Sequence, residues 1–396
     1  MLRGYYSLLA LFNNLAVSQF FSEFRMSATA PTLLFIPVSS QVGMGEYMRS
    51  LCIANEFKRR YPSAEIHFIL NKAASYLADC PFTVHKTEQS PTKCSNAVNE
   101  IVNKIRPDVA IFDASGRVSQ LRCCKRLKVS TLYIAQHQKK LARALSIRRL
   151  RFTDKIVVAQ PKFVMAELSL WARLKVRLLG KRLPEFVGPV FSPRNIESEY
   201  EVLQSLNLIK NNYILVNAGG GGNRVSVEGK VSRGHQSVSA ADIFLEASLQ
   251  ISKVVSYPIV VVLGKNFNSD DSEWYAKASA CDKVRLVNDV PMQDFITLAA
   301  NAKAALLSGG GSLLQAVALG VKTIIAVPIS SDQHERISAC EGYGLCSSSS
   351  PDAKAIVTKV VESLEQDVLP NQSGCIAPLV ENGLESVLET TLSLIK

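Results

Sequence analysis

Residues 308–336, SGGGSLLQAVALGVKTIIAVPISSDQHER, constrain the fold of this chain more than any other stretch. An apolar run ends at Ser308, and three glycines follow. Next come an apolar face at helical spacing (Leu313, Val317, Ala318), a stop at Gly320, a strand-like run over 322–327, and a polar loop after Pro328. Strand, turn, helix, strand is the unit of a parallel sheet, because parallel neighbours need a crossover and a helix supplies it. Glycine lacks a Cβ and tolerates positive φ, so a ligand can approach the backbone closely at such a turn. A helix N-terminus adds free N–H groups and the positive end of the helix dipole, which makes the turn a candidate anion site. On the turn alone, a helix cap with glycines kept for tight packing is the better explanation. Its surroundings have to decide.

The same alternation runs along the rest of the chain. TLLFIP (32–37), EIHFIL (65–70) and VAIFD (109–113) read as buried strands, with helices at 46–60 and 96–105 between them. YILV (213–216), PIVVVLG (258–264) and VRLV (284–287) repeat the pattern, with helices at 240–254, 271–280 and 292–301. Two last helices are expected at 352–365 and 378–395. The fold class is therefore α/β, with two doubly wound Rossmann-like domains facing a cleft. We place an N-terminal domain at 31–190, a linker at 191–210 beginning in the Pro- and Gly-rich GPVFSPRN, and a C-terminal domain at 211–396. Residues 1–30 read either as a leader upstream of a true start at Met26 or as a short amphipathic helix, and we favour the leader.

Charge is concentrated in one segment. Residues 137–182 hold 13 Lys and Arg against Asp154 and Glu167 alone, so this segment by itself accounts for the net charge of +11. A local basic face implies an anionic partner. Val164, Leu168, Trp171, Leu174 and Leu178 within it are spaced as one apolar helix stripe, with Arg173 and Arg177 opposite. Basic and apolar together fit an anionic membrane surface. Nucleic acid is not expected, since few aromatics are interleaved and no binding motif is present. The nine cysteines are scattered, odd in number and form no C-x-x-C pair, which fits a reducing cytoplasm rather than a disulfide framework or a zinc site. No run of about 18 apolar residues occurs, so the expected location is cytoplasmic, peripheral on the inner face of the membrane.

Three motifs in order resemble the GT-B glycosyltransferases of family 28, which include the lipid-linked GlcNAc transferase of peptidoglycan synthesis and the related UDP-sugar hydrolase of pseudaminic acid biosynthesis. These are the glycine loop SSQVGMGEYMR, the strand and turn YILVNAGGGG, and SGGGSLLQAVALGVKTIIAVP followed by Asp332 and Gln333. The resemblance spans nearly all of 31–396. It implies a donor cradle in which Ser308, Gly309, Gly310, Gly311 and Ser312 hold a diphosphate and Asp332 and Gln333 hold the sugar. Gly43, Gly45, Gly220 and Gly221 would lie close to the donor. Arg49 would contact phosphate or pair with Glu46, and Arg224 would be a further charge partner.

Two positions depart from the family pattern. The N-terminal loop usually ends in a histidine regarded as the base; here Glu46 stands there, at a helix N-terminus that favours negative charge. A carboxylate can serve as general base if it reaches the acceptor hydroxyl. Asp113, at the end of a strand facing the same cleft, is the rival base. Gln315 stands where the family often has a ribose-binding glutamate, so it can donate and accept but not accept twice. His235 is an outside candidate in a polar loop. No metal and no bound cofactor is expected. The implied activity is metal-independent inverting transfer of a sugar from a nucleotide-diphosphate donor, with UDP favoured, to a hydroxyl of a cell-envelope glycan or lipid-linked acceptor. A nucleotide-sugar hydrolase and a non-catalytic nucleotide-sugar-binding protein are the alternatives.

Overall fold

The computed structural model describes residues 30–39, 44–226, 237–366 and 379–396. The expected leader, Gly43 and His235 lie outside the described residues.

The first domain is built on β1 (Thr32–Pro37), α1 (Gly45–Arg60), β2 (Glu65–Asn71), β3 (Thr83–Thr87), α2 (Ser95–Ile105), β4 (Val109–Asp113), α3 (Val118–Arg126), β5 (Ser130–Ala135), α4 (Gln138–Ala144), β6 (Lys155–Val158), α5 (Leu170–Leu178) and β7 (Glu185–Phe186). Its strands form one parallel sheet in the order β3-β2-β1-β4-β5-β6-β7. The reason lies in β1. A run of Leu33, Leu34, Phe35 and Ile36 without polar alternation suits a strand covered on both faces. Leu33 and Phe35 enter one core with Ile53 and Phe57 of α1, while Leu34 and Ile36 enter the opposite core with Val98 and Val102 of α2. All four are fully buried, each contributing roughly 1.5–3 kcal/mol relative to exposure.

The second domain contains α6 (Glu199–Ser205), β8 (Ile214–Asn217), the antiparallel hairpin β9 (Arg224–Ser226) and β10 (Ser237–Ser239), α7 (Ala240–Val254), β11 (Ile259–Val262), α8 (Glu273–Ser279), β12 (Val284–Val287), α9 (Met292–Ala300), β13 (Ala304–Ser308), α10 (Gly311–Ala318), β14 (Thr323–Val327), α11 (His334–Gly342), β15 (Ser347–Ser348) and α12 (Ala353–Glu365). Its parallel sheet runs β12-β11-β8-β13-β14-β15. Alternation again splits the cores: Ile214 and Val216 face α7, whereas Tyr213 and Leu215 face α9.

Three expectations change. The linker 191–210 is not open chain, since Phe191, Leu203 and Leu208 are buried in a core of the second domain. The last helix, α13 (Leu384–Leu392), returns to the first domain rather than completing the second. Its Leu384, Val387 and Leu388 join the core beneath α1, and Arg60 grips Glu385 through two hydrogen bonds of 2.7 and 2.6 Å. The chain thus crosses between domains twice, near 188 and near 382. There Gly383 N–H donates to Pro189 O at 2.8 Å and Asn382 bonds the backbone of Phe191. Third, the apolar stripe in the basic segment is not one helical face. Ser169 caps α5, accepting from Ala172 N–H at 3.2 Å, so the helix starts after Val164 and Leu168. Those two pack inward, Val176 is the buried residue of α5, and Leu170, Trp171 and Leu178 are 83%, 61% and 72% exposed.

Candidate functional site

In open parallel sheets, ligands bind beyond the carboxyl ends of the strands where the order reverses. Here those points are the ends of β1 and β4 in one domain and of β8 and β13 in the other. Between them lies a cleft of about 630 Å³ lined by both domains.

The second domain supplies two turns. Asn217 ends β8 and shapes the first: its amide donates to Val262 O at 2.9 Å and its oxygen accepts from Gly219 N–H at 3.1 Å. Gly219 and Gly221 then adopt φ of +92° and +86°. Gly220 lines the cleft, but Gly221 does not; it packs beneath the turn, where an added Cβ would sit 2.5 Å from Phe267 N and 2.8 Å from Gly264 O. The second turn follows β13. Ser308, Gly310, Gly311 and Ser312 all line the cleft, and α10 opens at Gly311 with its first N–H groups at the cleft wall. Gly310 precedes it as an extended cap with no side chain to block approach. Gly309 faces away from the cleft, against Ile337 of α11, and is therefore a packing glycine. Gly320 has a φ of +72° just past the end of α10, as its position predicted.

Gln315, Asp332 and Gln333 line the same cleft. Gln315 meets Met292 Sδ at 3.9 Å, Asp332 accepts from Ser330 Oγ at 2.7 Å, and Gln333 accepts from Ile329 N–H at 3.0 Å. That last bond uses the side-chain oxygen of Gln333, leaving its amide nitrogen as the group available to a ligand. Arg224 is a correction: it is exposed on the β9–β10 hairpin, bonded to the side chain and carbonyl of Ser237, and does not line the cleft. A hairpin could not be read from a segment of mixed polar residues.

From the first domain, Gly45, Glu46 and Arg49 reach the cleft on the first two turns of α1. The carboxylate that Arg49 pairs with is Asp113, not Glu46. Its guanidinium forks onto both oxygens of Asp113, at 2.9 and 2.5 Å, and bonds Gln136 at 2.7 Å. Asp113 is fully buried beneath it and does not line the cleft. Burial pushes the Asp113 carboxyl up to about 6, and Arg49 opposes any further rise. Burial works against the charge of Arg49 as well, but the carboxylate overrides it and holds the guanidinium protonated. Asp113 thus sits where it positions Arg49, and Glu46 is the carboxylate that the first domain brings to the cleft wall.

Several lining residues had no signal in the sequence. Lys265 is ion-paired with Asp79 across the cleft mouth, and Ser75 Oγ bonds Asn266 at 2.8 Å beside it. The loop carrying Lys265 and Asn266 also rests on the first glycine turn, through Asn266 N–H to Gly220 O at 3.1 Å. Behind the lining, His137, the cap residue of α4, feels the charges of Glu46, Asp332 and Arg336; burial and then Lys140 push its imidazole below the ordinary value, toward the neutral form. Arg336 lines the cleft, 5% exposed. In sequence it is one charge in the polar run DQHER, which any solvated loop would show.

No protein-family model and no curated protein matches the chain at a significant level. Solved structures do. The UDP-GlcNAc 2-epimerase of Neisseria meningitidis, bound to UDP-GlcNAc, aligns over 91% of this chain and 100% of its own, at 12% identity and a TM-score of 0.57. MurG of Acinetobacter baumannii covers 92% of this chain and 99% of its own, at 12% identity and 0.56. UGT89C1 of Arabidopsis thaliana covers 92% and 95%, also at 12% and 0.56. At such identities the likeness concerns the fold alone. The chain has the GT-B fold, two Rossmann-like domains around a cleft.

Proposed function

We propose that the protein transfers a sugar, with inversion, from a nucleoside-diphosphate sugar to a hydroxyl acceptor. The observation that carries this reading is the convergence of two turns, Asn217 to Gly220 and Ser308 to Ser312, on one cleft that Glu46 enters from the other domain. The N-terminal end of α10 offers backbone N–H groups and a dipole to a diphosphate. In transfer, the acceptor oxygen attacks the anomeric carbon as Glu46 takes its proton. The bond from that carbon to the diphosphate oxygen breaks, and the departing negative charge falls on the N–H groups of the turn. Donors fixed before the reaction stabilise such charge without reorganising, which is where most of the rate gain arises. In this reading Asp332 and the amide of Gln333, which line the cleft, bind sugar hydroxyls, and Gln315 binds the ribose. UDP is the favoured nucleotide, since the Neisseria enzyme of the same fold holds UDP-GlcNAc.

The acceptor is a cell-envelope glycan or a lipid-linked sugar, with the enzyme resting on an anionic membrane. Support for the membrane comes from α5, whose Leu170, Trp171, Leu174 and Leu178 face solvent beside Arg173, Lys175, Arg177, Lys181 and Arg182. Among the described residues, no helix is long and apolar enough to cross a bilayer. Exposed apolar residues interleaved with cations favour the interface plane of anionic lipid.

The test is product analysis with UDP-sugars, with and without acceptor hydroxyls. Acceptor-dependent glycoside formation is the expected result. Free sugar released regardless of acceptor means a hydrolase, and an epimerised donor means an isomerase; either outcome replaces the transferase.

A further inference from the structure

We infer that Arg336 is the cation that neutralises a diphosphate seated on the Ser308–Ser312 turn, an assignment that rests on the nucleotide-sugar reading of the cleft. Among the described residues, three cationic side chains line the cleft: Arg49, Lys265 and Arg336. Arg49 is committed to Asp113 and Lys265 to Asp79. Arg336 forms no ion pair with a described carboxylate. It is 95% buried, its Nη1 donates to Gly309 O, and its Nε has no hydrogen-bond partner. Asp332 acts on its charge from beyond contact distance, but a buried guanidinium with no carboxylate in contact and an unsatisfied N–H is still costly. Such a group persists where something outside the chain completes it.

The chain places this charge deliberately close to the turn. Gly309 has no side chain, and an added Cβ would lie 2.5 Å from Ile337 Cδ1 and 2.9 Å from Gln333 Cβ. The glycine therefore lets α11 press against the end of β13 until Arg336 reaches the Gly309 carbonyl. One residue later the cradle begins at Gly310. Backbone N–H groups and a helix dipole supply about half a positive charge, whereas a diphosphate carries two or more negative charges. Arginine presents planar, forked donors that match phosphate oxygens two at a time. The remaining donors of Arg336 fit that shortfall.

Titration calorimetry on the full chain with UDP, uridine and inorganic pyrophosphate tests this, using wild type, Arg336→Gln and Arg336→Lys. Thermal melts verify that each variant folds. Arg336→Gln is expected to weaken UDP and pyrophosphate by about 10- to 100-fold, with uridine unchanged. Arg336→Lys keeps the charge and loses the fork, so an intermediate loss confined to the phosphate ligands is expected. Equal losses for uridine and UDP in the lysine variant would mean that Arg336 only props the turn, and would overturn the assignment. So would wild-type-like pyrophosphate binding in Arg336→Gln. If wild type binds pyrophosphate in an Arg336-dependent way but neither UDP nor uridine, Arg336 stands and the uridine-nucleotide reading falls. If wild type and Arg336→Gln bind UDP equally, the reading stands and Arg336 falls. Binding of none of the three by wild type removes both.

Discussion

Arg49 and Asp113 form a forked ion pair at the base of the cleft, Nε and Nη2 of the arginine each donating to a different carboxylate oxygen. Asp113 ends β4 and Arg49 lies on the second turn of α1, so the pair ties the helix that carries Glu46 to the middle of the sheet. Asp113 is fully buried and Arg49 is 11% exposed, and Ser50 Oγ bonds the same carboxylate at 3.3 Å. Removing one member leaves the other charge without a partner, which typically costs 3–5 kcal/mol. Asp113→Ala is expected to lower the unfolding free energy by about that amount, read from urea midpoints. A loss under about 1 kcal/mol would mean that the pair does not lock the helix.

Glu46 is assigned the proton transfer, and its replacement separates the two carboxylates. Glu46→Gln should reduce kcat by about 10²- to 10⁴-fold while leaving donor affinity unchanged. Retention of full turnover in Glu46→Gln would show that Glu46 is not the base.

The first glycine turn makes a prediction about stability alone. Gly221 has a φ of +86° and no room for a methyl group between Phe267 N and Gly264 O. Gly221→Ala is expected to cost roughly 1–3 kcal/mol from backbone strain, with more from the clash. Gly45→Ala, which meets open space, serves as the control. Equal melting temperatures for the two variants would contradict the packing described for the turn.

A histidine pair bridges β2 and β3, His85 Nε2 to His67 Nδ1 at 3.3 Å. Burial lowers both imidazoles below their ordinary value, and for His85 the neighbouring His67 adds to it. The folded state thus binds fewer protons than the unfolded one. Their contribution to stability is complete above about pH 6.5 and is lost as pH falls through that value. Asp113, raised to about 6, works in the opposite sense and loses stability as pH rises through that value. Melting temperature should drop between pH 7.5 and 5.5, and the drop should flatten in a His67→Asn, His85→Asn variant. An unchanged slope would show that the pair is not titrating.

Exposed Trp171, Leu174 and Leu178 predict a surface effect. Changing all three to glutamine should abolish binding to anionic vesicles while altering stability little, since exposed substitutions away from special features stay within about 0.5 kcal/mol. Binding by wild type should weaken with salt. Equal wild-type binding to neutral vesicles would contradict the role of the basic residues.

The fold was legible because burial on both sheet faces forces uninterrupted apolar runs, as in β1, β8 and β13, and because glycines mark the turns that follow two of them. The cleft members of the Ser308–Ser312 turn could be named because strand ends and helix starts are local events, whereas Asp332 and Gln333 were named from the family resemblance. What could not be read is long-range. That Asp113 is satisfied by Arg49, 64 residues away in sequence, depends on the pairing of β1 with β4. That Arg336 lies under the glycine turn depends on α11 packing against Gly309. The return of α13 to the first domain likewise has no marker in its own residues, whose apolar face would suit either domain.

The central claim is that the cleft binds a nucleoside-diphosphate sugar through the Ser308–Ser312 turn. The most direct measurement is the rise in melting temperature with increasing UDP-GlcNAc, made on wild type and on Gly311→Asp, which sets a carboxylate at the first residue of α10. A saturable rise is expected for wild type, since a ligand that binds only the folded state stabilises it by mass action. No rise is expected for Gly311→Asp. The same rise in both proteins would contradict the central claim.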